Sequence, residues 1–216
     1  MATPDISAII LTHDRVALLG CVGGPVVPFW EVSRPEWLLD SLLPFMTVLD
    51  MGDSACDLKG ETILFGTNFA IQRDLLEKIG GYRTDLGPIG RWHRSGEDTY
   101  LQRQVRRIGR TLRHEPGIRV QHRVQAGRLT KRWVLRRMYW EGLARARQTL
   151  DPSHIQPGER RACTWKARRR LLHSPRRLVP SVIPTGSSSK LFERKAASRR
   201  RLGTLTGYLG FGSREG

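Results

Sequence analysis

Arg94-Ser95-Gly96-Glu97-Asp98-Thr99-Tyr100-Leu101 places two adjacent acids between a glycine-rich run and an amphipathic segment. Ser95 followed three residues later by Asp98 reads as a capping box, which puts Asp98 in the first turn of a helix. Leu101, Val105 and Ile108 then recur at helical spacing, and Gly109 supplies the stop. Glu97 and Asp98 are thereby held at a helix N-terminus beside a loop. A carboxylate so placed can take a proton from a hydroxyl as a general base. The same placement also serves simply to complement the helix dipole.

Working outward, Leu86-Gly87-Pro88-Ile89-Gly90 forms a glycine-rich approach to the acids. Before it, Leu75, Leu76 and Ile79 mark a helix that Gly80-Gly81 ends in the usual C-terminal position. Ile63-Leu64-Phe65 is a short strand candidate running into Gly66-Thr67-Asn68. Gly66 and Asn68 either let backbone approach a ligand closely or make an ordinary turn at a strand end. Ser33-Arg34-Pro35-Glu36 is a second capping-box pattern, expected to start a helix over Trp37, Leu38, Leu39, Leu42 and Leu43 that Pro44 limits. Ile9-Ile10-Leu11 is a short apolar segment. Val16-Ala17-Leu18-Leu19 reads as a buried strand ended by Gly20 and a Gly23-Gly24-Pro25 turn. These glycines are not a phosphate loop, because no Lys-Ser/Thr ending follows.

Downstream of the acids, Thr111-Leu112-Arg113-His114 reads as a strand cut at Pro116. Ile118, Val120, His122 and Val124 alternate as a half-buried strand. His122 shares the apolar face, as either a core histidine or a metal ligand. Residues 129–150 read as one helix, with Thr130 near its start. Its arginines, Arg132, Arg136, Arg137, Arg145 and Arg147, either grip phosphate or lie on a solvated face with their stems over the tryptophans. Beyond Asp151-Pro152 the pattern changes to scattered prolines, basic triplets at 168–170 and 199–201, and a linker-like Ser187-Ser188-Ser189. Weakly ordered helices, lying on a membrane surface, are expected there.

Charge divides the chain in the same way. Residues 1–122 hold 14 Lys/Arg against 15 Asp/Glu, a net of −1, and residues 123–216 hold 23 against 5, a net of +18. The expected organisation is a folded unit over 1–150 and a basic, mainly helical extension over 151–216. Hydrophobic content of 39% is low for a fully compact chain and agrees with that division. A basic extension attracts phosphate-bearing partners, either anionic lipid or nucleic acid. Against nucleic acid stand the absence of zinc-finger spacing, of a clear helix-turn-helix and of alternating aromatic strands. Cys21, Cys56 and Cys163 give neither a disulfide framework nor zinc spacing, so a reducing, cytoplasmic compartment is expected. No signal peptide or membrane span is legible, which leaves peripheral attachment to the inner face of the membrane.

The motifs also have an order. Gly66-Thr67-Asn68-Phe69-Ala70-Ile71-Gln72-Arg73 is followed by Gly80-Gly81-Tyr82, Leu86-Gly87, Gly96-Glu97-Asp98-Thr99-Tyr100-Leu101 and Val120-Gln121-His122. This series resembles the C-terminal half of the nucleotide-sugar-binding domain in family 2 glycosyltransferases. Val16 to Pro28, Pro35-Glu36-Trp37-Leu38 and the Arg128-Leu129-Thr130-Lys131-Arg132-Trp133 helix are also similar, so the resemblance covers roughly residues 14–150. It implies an α/β fold of the GT-A type, Rossmann-like, here as a partial domain with its N-terminal half missing. It implies transfer of a hexose-type sugar from a nucleotide-sugar donor to an acceptor hydroxyl. Asp98 matches the catalytic base and Glu97 the accompanying acid. Gly66, Asn68, Gly96, Arg132 and Trp133 fall on the substrate side, and His122 matches a position that in some members helps hold the divalent metal, Mg²⁺ or Mn²⁺. Arg83 follows Tyr82 where an aspartate is usual, and no Asp-x-Asp motif precedes Asp14. The chain alone is therefore expected not to turn over. The rivals are a non-enzymatic basic protein that binds anionic membrane or nucleic acid, and an inactive remnant.

Overall fold

The computed structural model describes residues 18–83, 86, 96–150, 161, 162, 164, 165, 169 and 188–209. Ile9-Ile10-Leu11, most of the glycine-rich approach to the acids, Cys163 and the triplet at 168–170 with its prolines lie largely or wholly outside them. The described residues make a mixed α/β unit of small mixed sheets and helices, compatible with part of a Rossmann-like domain.

Strand β1 (Leu19–Gly23) is central in a four-stranded sheet of order β3-β5-β1-β4, where β3 is Cys56–Asp57, β4 is Phe69–Ile71 and β5 is Thr111–His114. It runs parallel to β5 and antiparallel to β4. Gly20 lies inside β1 and does not end it. Its backbone is pressed so closely against Val105 and Arg110 that a side chain would overlap them. Strand β2 (Val26–Trp30) pairs in parallel with β6 (Val120–Val124) as a separate ribbon, in register from Val26 opposite Val120 to Trp30 opposite Val124. The expected alternation holds in β6, where Gln121 and Arg123 are exposed and Val124 is buried.

Helix α1 (Arg73–Ile79) ends as expected, with Gly80 in the left-handed region at φ 87°. Helix α2 (Glu97–Arg107) begins at Gly96, which is the N-cap at φ 113° with no side-chain cap. The Ser95 capping box is thus corrected: Ser95 lies outside the described residues, and the capping position belongs to a glycine. Leu101 and Val105 of α2 are buried, whereas Ile108 is the half-exposed C-cap. Together with Cys21, Leu64, Leu75 and Leu112, Val105 forms the core beneath the four-stranded sheet.

A second core joins β6 to helix α3 (Lys131–Thr149) and helix α4 (Ser189–Tyr208). Thr130 caps α3 by accepting from the Trp133 N–H at 3.2 Å. The helix expected from Ser33 does not form. The chain instead turns and makes a 3₁₀ helix over Asp40–Met46 with Pro44 inside it, because its apolar residues must reach the α3–α4 pair. Weak order is not what residues 188–209 display. Ser188 caps α4 through the Leu191 N–H, and Phe192 and Ala196 are fully buried in this core. At the α3–α4 seam both helices use glycine. A side chain on Gly142 would overlap the Arg200 carbonyl, and one on Gly203 would overlap the Tyr139 carbonyl. Phe192 lies by Lys131 and Gly207 by Ala146, so the two helices run in the same direction.

Ile63-Leu64-Phe65 is not a strand. Leu64 is fully buried, yet its backbone bonds go to a side chain of α2 rather than to a neighbouring strand.

Candidate functional site

A cleft of about 580 Å³ opens between three walls. One is residues 63–67, the second is the start of α2 with Gly96, Glu97, Asp98 and Thr99, and the third is α3 with Trp133, Arg137 and Glu141. Pro44, Phe45 and Thr47 from the 3₁₀ helix and Arg128 from the turn before α3 complete it. On α3 the three lining residues recur every four positions, which puts them on one helix face.

Among the described residues, the Gly66 N–H donates to Asp98 Oδ2 at 3.1 Å. The contact is so close that a Cβ on Gly66 would overlap the carboxylate, so close approach explains the glycine. Burial pushes the Asp98 carboxyl up to about 6, the neighbouring Glu97 charge pushes in the same direction, and the Gly66 bond opposes both. Near neutral pH such a group is ionised yet basic enough to accept a proton. Glu97 lines the same cleft, and its Oε2 is buried with no hydrogen-bond partner among the described residues. A buried carboxylate oxygen in that state is costly until a donor reaches it. The Tyr82 hydroxyl is pushed up to about 12, by burial first and then by the charge of Asp98, so it keeps its proton.

Opposite the acids the wall is basic and aromatic. The Arg128 guanidinium lies 5.7 Å from the Trp133 ring centroid, within cation–π range. Arg137 pairs with Glu141 at 3.4 Å, one turn further along α3.

Five residues anticipated from sequence thus line this cleft together: Gly66, Gly96, Glu97, Asp98 and Trp133. Asn68 does not. It is buried, and its amide nitrogen donates to the Pro25 carbonyl at 3.0 Å and the Ile118 carbonyl at 2.7 Å, tying three loops together. Arg132 points to solvent on the other side of α3 from Val134 and Met138. His122 lies beside the Arg128 guanidinium, its Nε2 3.4 Å away, and burial and that charge hold its pKa down. A cation already occupies the flank where a metal would bind. Among the described residues no three His, Cys, Asp or Glu side chains come together. The described residues around His122 therefore do not fit a divalent-metal site. Arg128, Glu141 and Phe45 were missed as site residues, and Arg137 was weighed only as one of several arginines that grip phosphate or cover the tryptophans. The four-residue spacing from Trp133 through Glu141 is the signal that would have found Arg137 and Glu141.

No family model and no solved structure matches the chain. Over 153 residues it is 26% identical to the glucosyl-dolichyl phosphate glucuronosyltransferase of Haloferax volcanii. The chain is similar to a glycosyltransferase. The match takes in 67% of this chain and 46% of that enzyme, so the chain spans less than half the length of its relative.

Proposed function

We propose that this chain carries the acceptor side of a family 2-like, GT-A-type glycosyltransferase site, with Asp98 as the base. The observation that carries the reading is the cleft in which a raised Asp98 carboxyl stands beside a buried Glu97 oxygen that has no partner among the described residues. An acceptor hydroxyl entering there meets Asp98 as base, while Glu97 Oε2 accepts from a second hydroxyl of the same sugar. As the acceptor oxygen bonds to the anomeric carbon of the donor, its proton passes to Asp98. The bond from that carbon to the donor phosphate breaks, and the diphosphate leaves with the electron pair. Trp133 offers a face for a sugar ring, and Arg128 and Arg137 place positive charge where an anionic part of donor or acceptor would lie.

The test is transfer of labelled sugar from a panel of uridine and guanosine diphosphate sugars to lipid-linked acceptors, by the chain joined to a donor-binding N-terminal half, since the chain alone is expected not to turn over. Asp98→Asn should lower the rate about 10²–10⁴-fold, the usual contribution of a general base. Equal rates for the joined wild-type and Asp98→Asn proteins would sink the reading.

Peripheral attachment to an anionic membrane belongs to the same proposal. Lys190, Arg194 and Arg201 are exposed on α4, residues 123–216 carry the whole basic excess, and the relative's name includes a lipid phosphate. No helix among the described residues is long and apolar enough to cross a membrane.

A further inference from the structure

Gln102 is fully buried on α2, between Leu101 and the inward turn of Val105. Both ends of its amide are committed to one residue: the Leu64 N–H donates to Oε1 at 2.7 Å, and Nε2 donates to the Leu64 carbonyl at 2.9 Å. If burial were the only need, an apolar side chain would fill this place at lower cost. The amide is explained by Leu64, a buried backbone unit with no strand beside it to satisfy either group.

Asp98 lies four residues before Gln102 and so one turn away on the same helix face. It accepts from Gly66, two residues beyond Leu64. Successive turns of α2 therefore hold residues 64–66 as an adjacent strand would, with side-chain groups replacing a backbone ladder. The far end of this segment is fixed independently. The Asn68 N–H donates to the Phe65 carbonyl at 2.8 Å, and the Asn68 side chain is tied to Pro25 and Ile118. Two buried amide side chains thus anchor the segment at its ends, and Gly66 stands between them with its N–H turned to the acid.

We infer that Gln102 is a positioning residue for Asp98: through Leu64 it sets where the Gly66 amide meets the carboxylate. Its catalytic meaning rests on the reading of Asp98 as base, but the mechanical part can be measured without any transfer. In the wild-type protein the buried Leu64 amide should exchange as slowly as amides in the middle of α2, and the more exposed Gly66 amide more slowly than an unbonded loop amide. In Gln102→Met, a substitution of similar length, both should exchange roughly tenfold faster or more, the scale of losing a bond to a buried group. The Asp98 carboxyl, followed by carbon-13 resonance, should then titrate at higher pH, because the Gly66 N–H no longer favours its ionised form. The rising limb of the transfer pH profile should move with it. A folded Gln102→Met protein with unchanged exchange at Gly66 and unchanged Asp98 titration would overturn the inference. If that variant does not fold, the wild-type measurement still decides: fast exchange at Leu64 is incompatible with the clamp. Asp98→Asn should leave Leu64 protected. Intact protection and a shifted titration with equal transfer by the joined wild-type and Asp98→Asn proteins would overturn the functional reading alone.

Discussion

Asp98 holds a proton at pH values where an ordinary aspartate is ionised, and this has a consequence for stability as well as for catalysis. A carboxyl raised from 3.8 to about 6 binds more protons in the folded state than in the unfolded chain between those values. Its contribution to stability is therefore full below about pH 4 and is lost as pH rises through about 6. Asp98→Asn removes the buried charge while keeping an acceptor for Gly66. The variant should melt higher than wild type at pH 7, and the advantage should vanish near pH 4. Thermal scans at both values check this, and a variant less stable at pH 7 would contradict the burial of the charge. In transfer, the same group predicts a rate that climbs with pH up to and just beyond 6 and then levels. Gly66→Ala is a sharper probe of geometry. Its Cβ would occupy the space of the carboxylate, so either the turn or Asp98 must move. A shift of 1 Å at a reacting group can cost on the order of 10²-fold, so transfer should fall by about that factor while the fold survives. An unchanged rate would mean that the close approach has no part in the chemistry.

Among the elements, α2 and α3 were legible, and for the same reason. Each presents apolar residues at helical spacing, and α3 begins at a threonine that caps it. Strand β6 was legible from its alternation. The failures have a common cause. Ile63-Leu64-Phe65 has a strand's composition, but its pairing groups are taken by Gln102, and no local pattern announces a side chain 38 residues away as the partner. Ser33 and Ser95 both fit a capping pattern, yet no helix starts at Ser33 and the N-cap position of α2 is Gly96. Tertiary demands, the reach of Leu38, Leu42 and Met46 into the second core and the tight fit of Gly96 under Gln148, outweigh a capping preference of about 1 kcal/mol. The α3–α4 seam depends on glycine for contact, not for backbone freedom. Gly142→Leu or Gly203→Leu should push the helices apart at a cost of roughly 1–3 kcal/mol or more, about 2–10 °C in Tm for a chain of this size. Thermal unfolding checks it, and an unshifted Tm would mean that the helices do not touch there.

For the whole molecule, the charge division and the packing do not coincide. The basic excess begins near residue 123, yet α3 and α4 from that basic part supply Val134, Met138, Phe192 and Ala196 to a core shared with Leu38 and Met46. On α4, Lys190, Arg194 and Arg201 carry basic charge on the outside of a folded helix, whereas Arg200 is half-buried. Vesicles rich in phosphatidylserine should retain the protein, neutral phosphatidylcholine vesicles should not, and salt should release it, since exposed charges are screened over about 10 Å at 0.1 M. Lys190→Glu with Arg194→Glu should weaken retention by about tenfold or more, each basic residue near such a surface being worth about 1 kcal/mol. Retention unchanged by that pair would exclude α4 as the contact, and tighter binding to DNA than to vesicles would favour the nucleic-acid rival.

By itself the sequence determined that two acids start a helix, that α1, α2, α3, β5 and β6 form close to where their spacing places them, and that the basic charge lies at one end. These are properties of neighbours, and spacing along the chain is enough to encode them. Only the tertiary structure decided that Gly66 touches Asp98, that Arg128 and Arg137 face the acids, that Asn68 is a brace, and that Gln102 takes the place of a strand. Each of these depends on which distant backbone groups are left without a partner when the elements pack, and that is settled only once the chain has closed on itself.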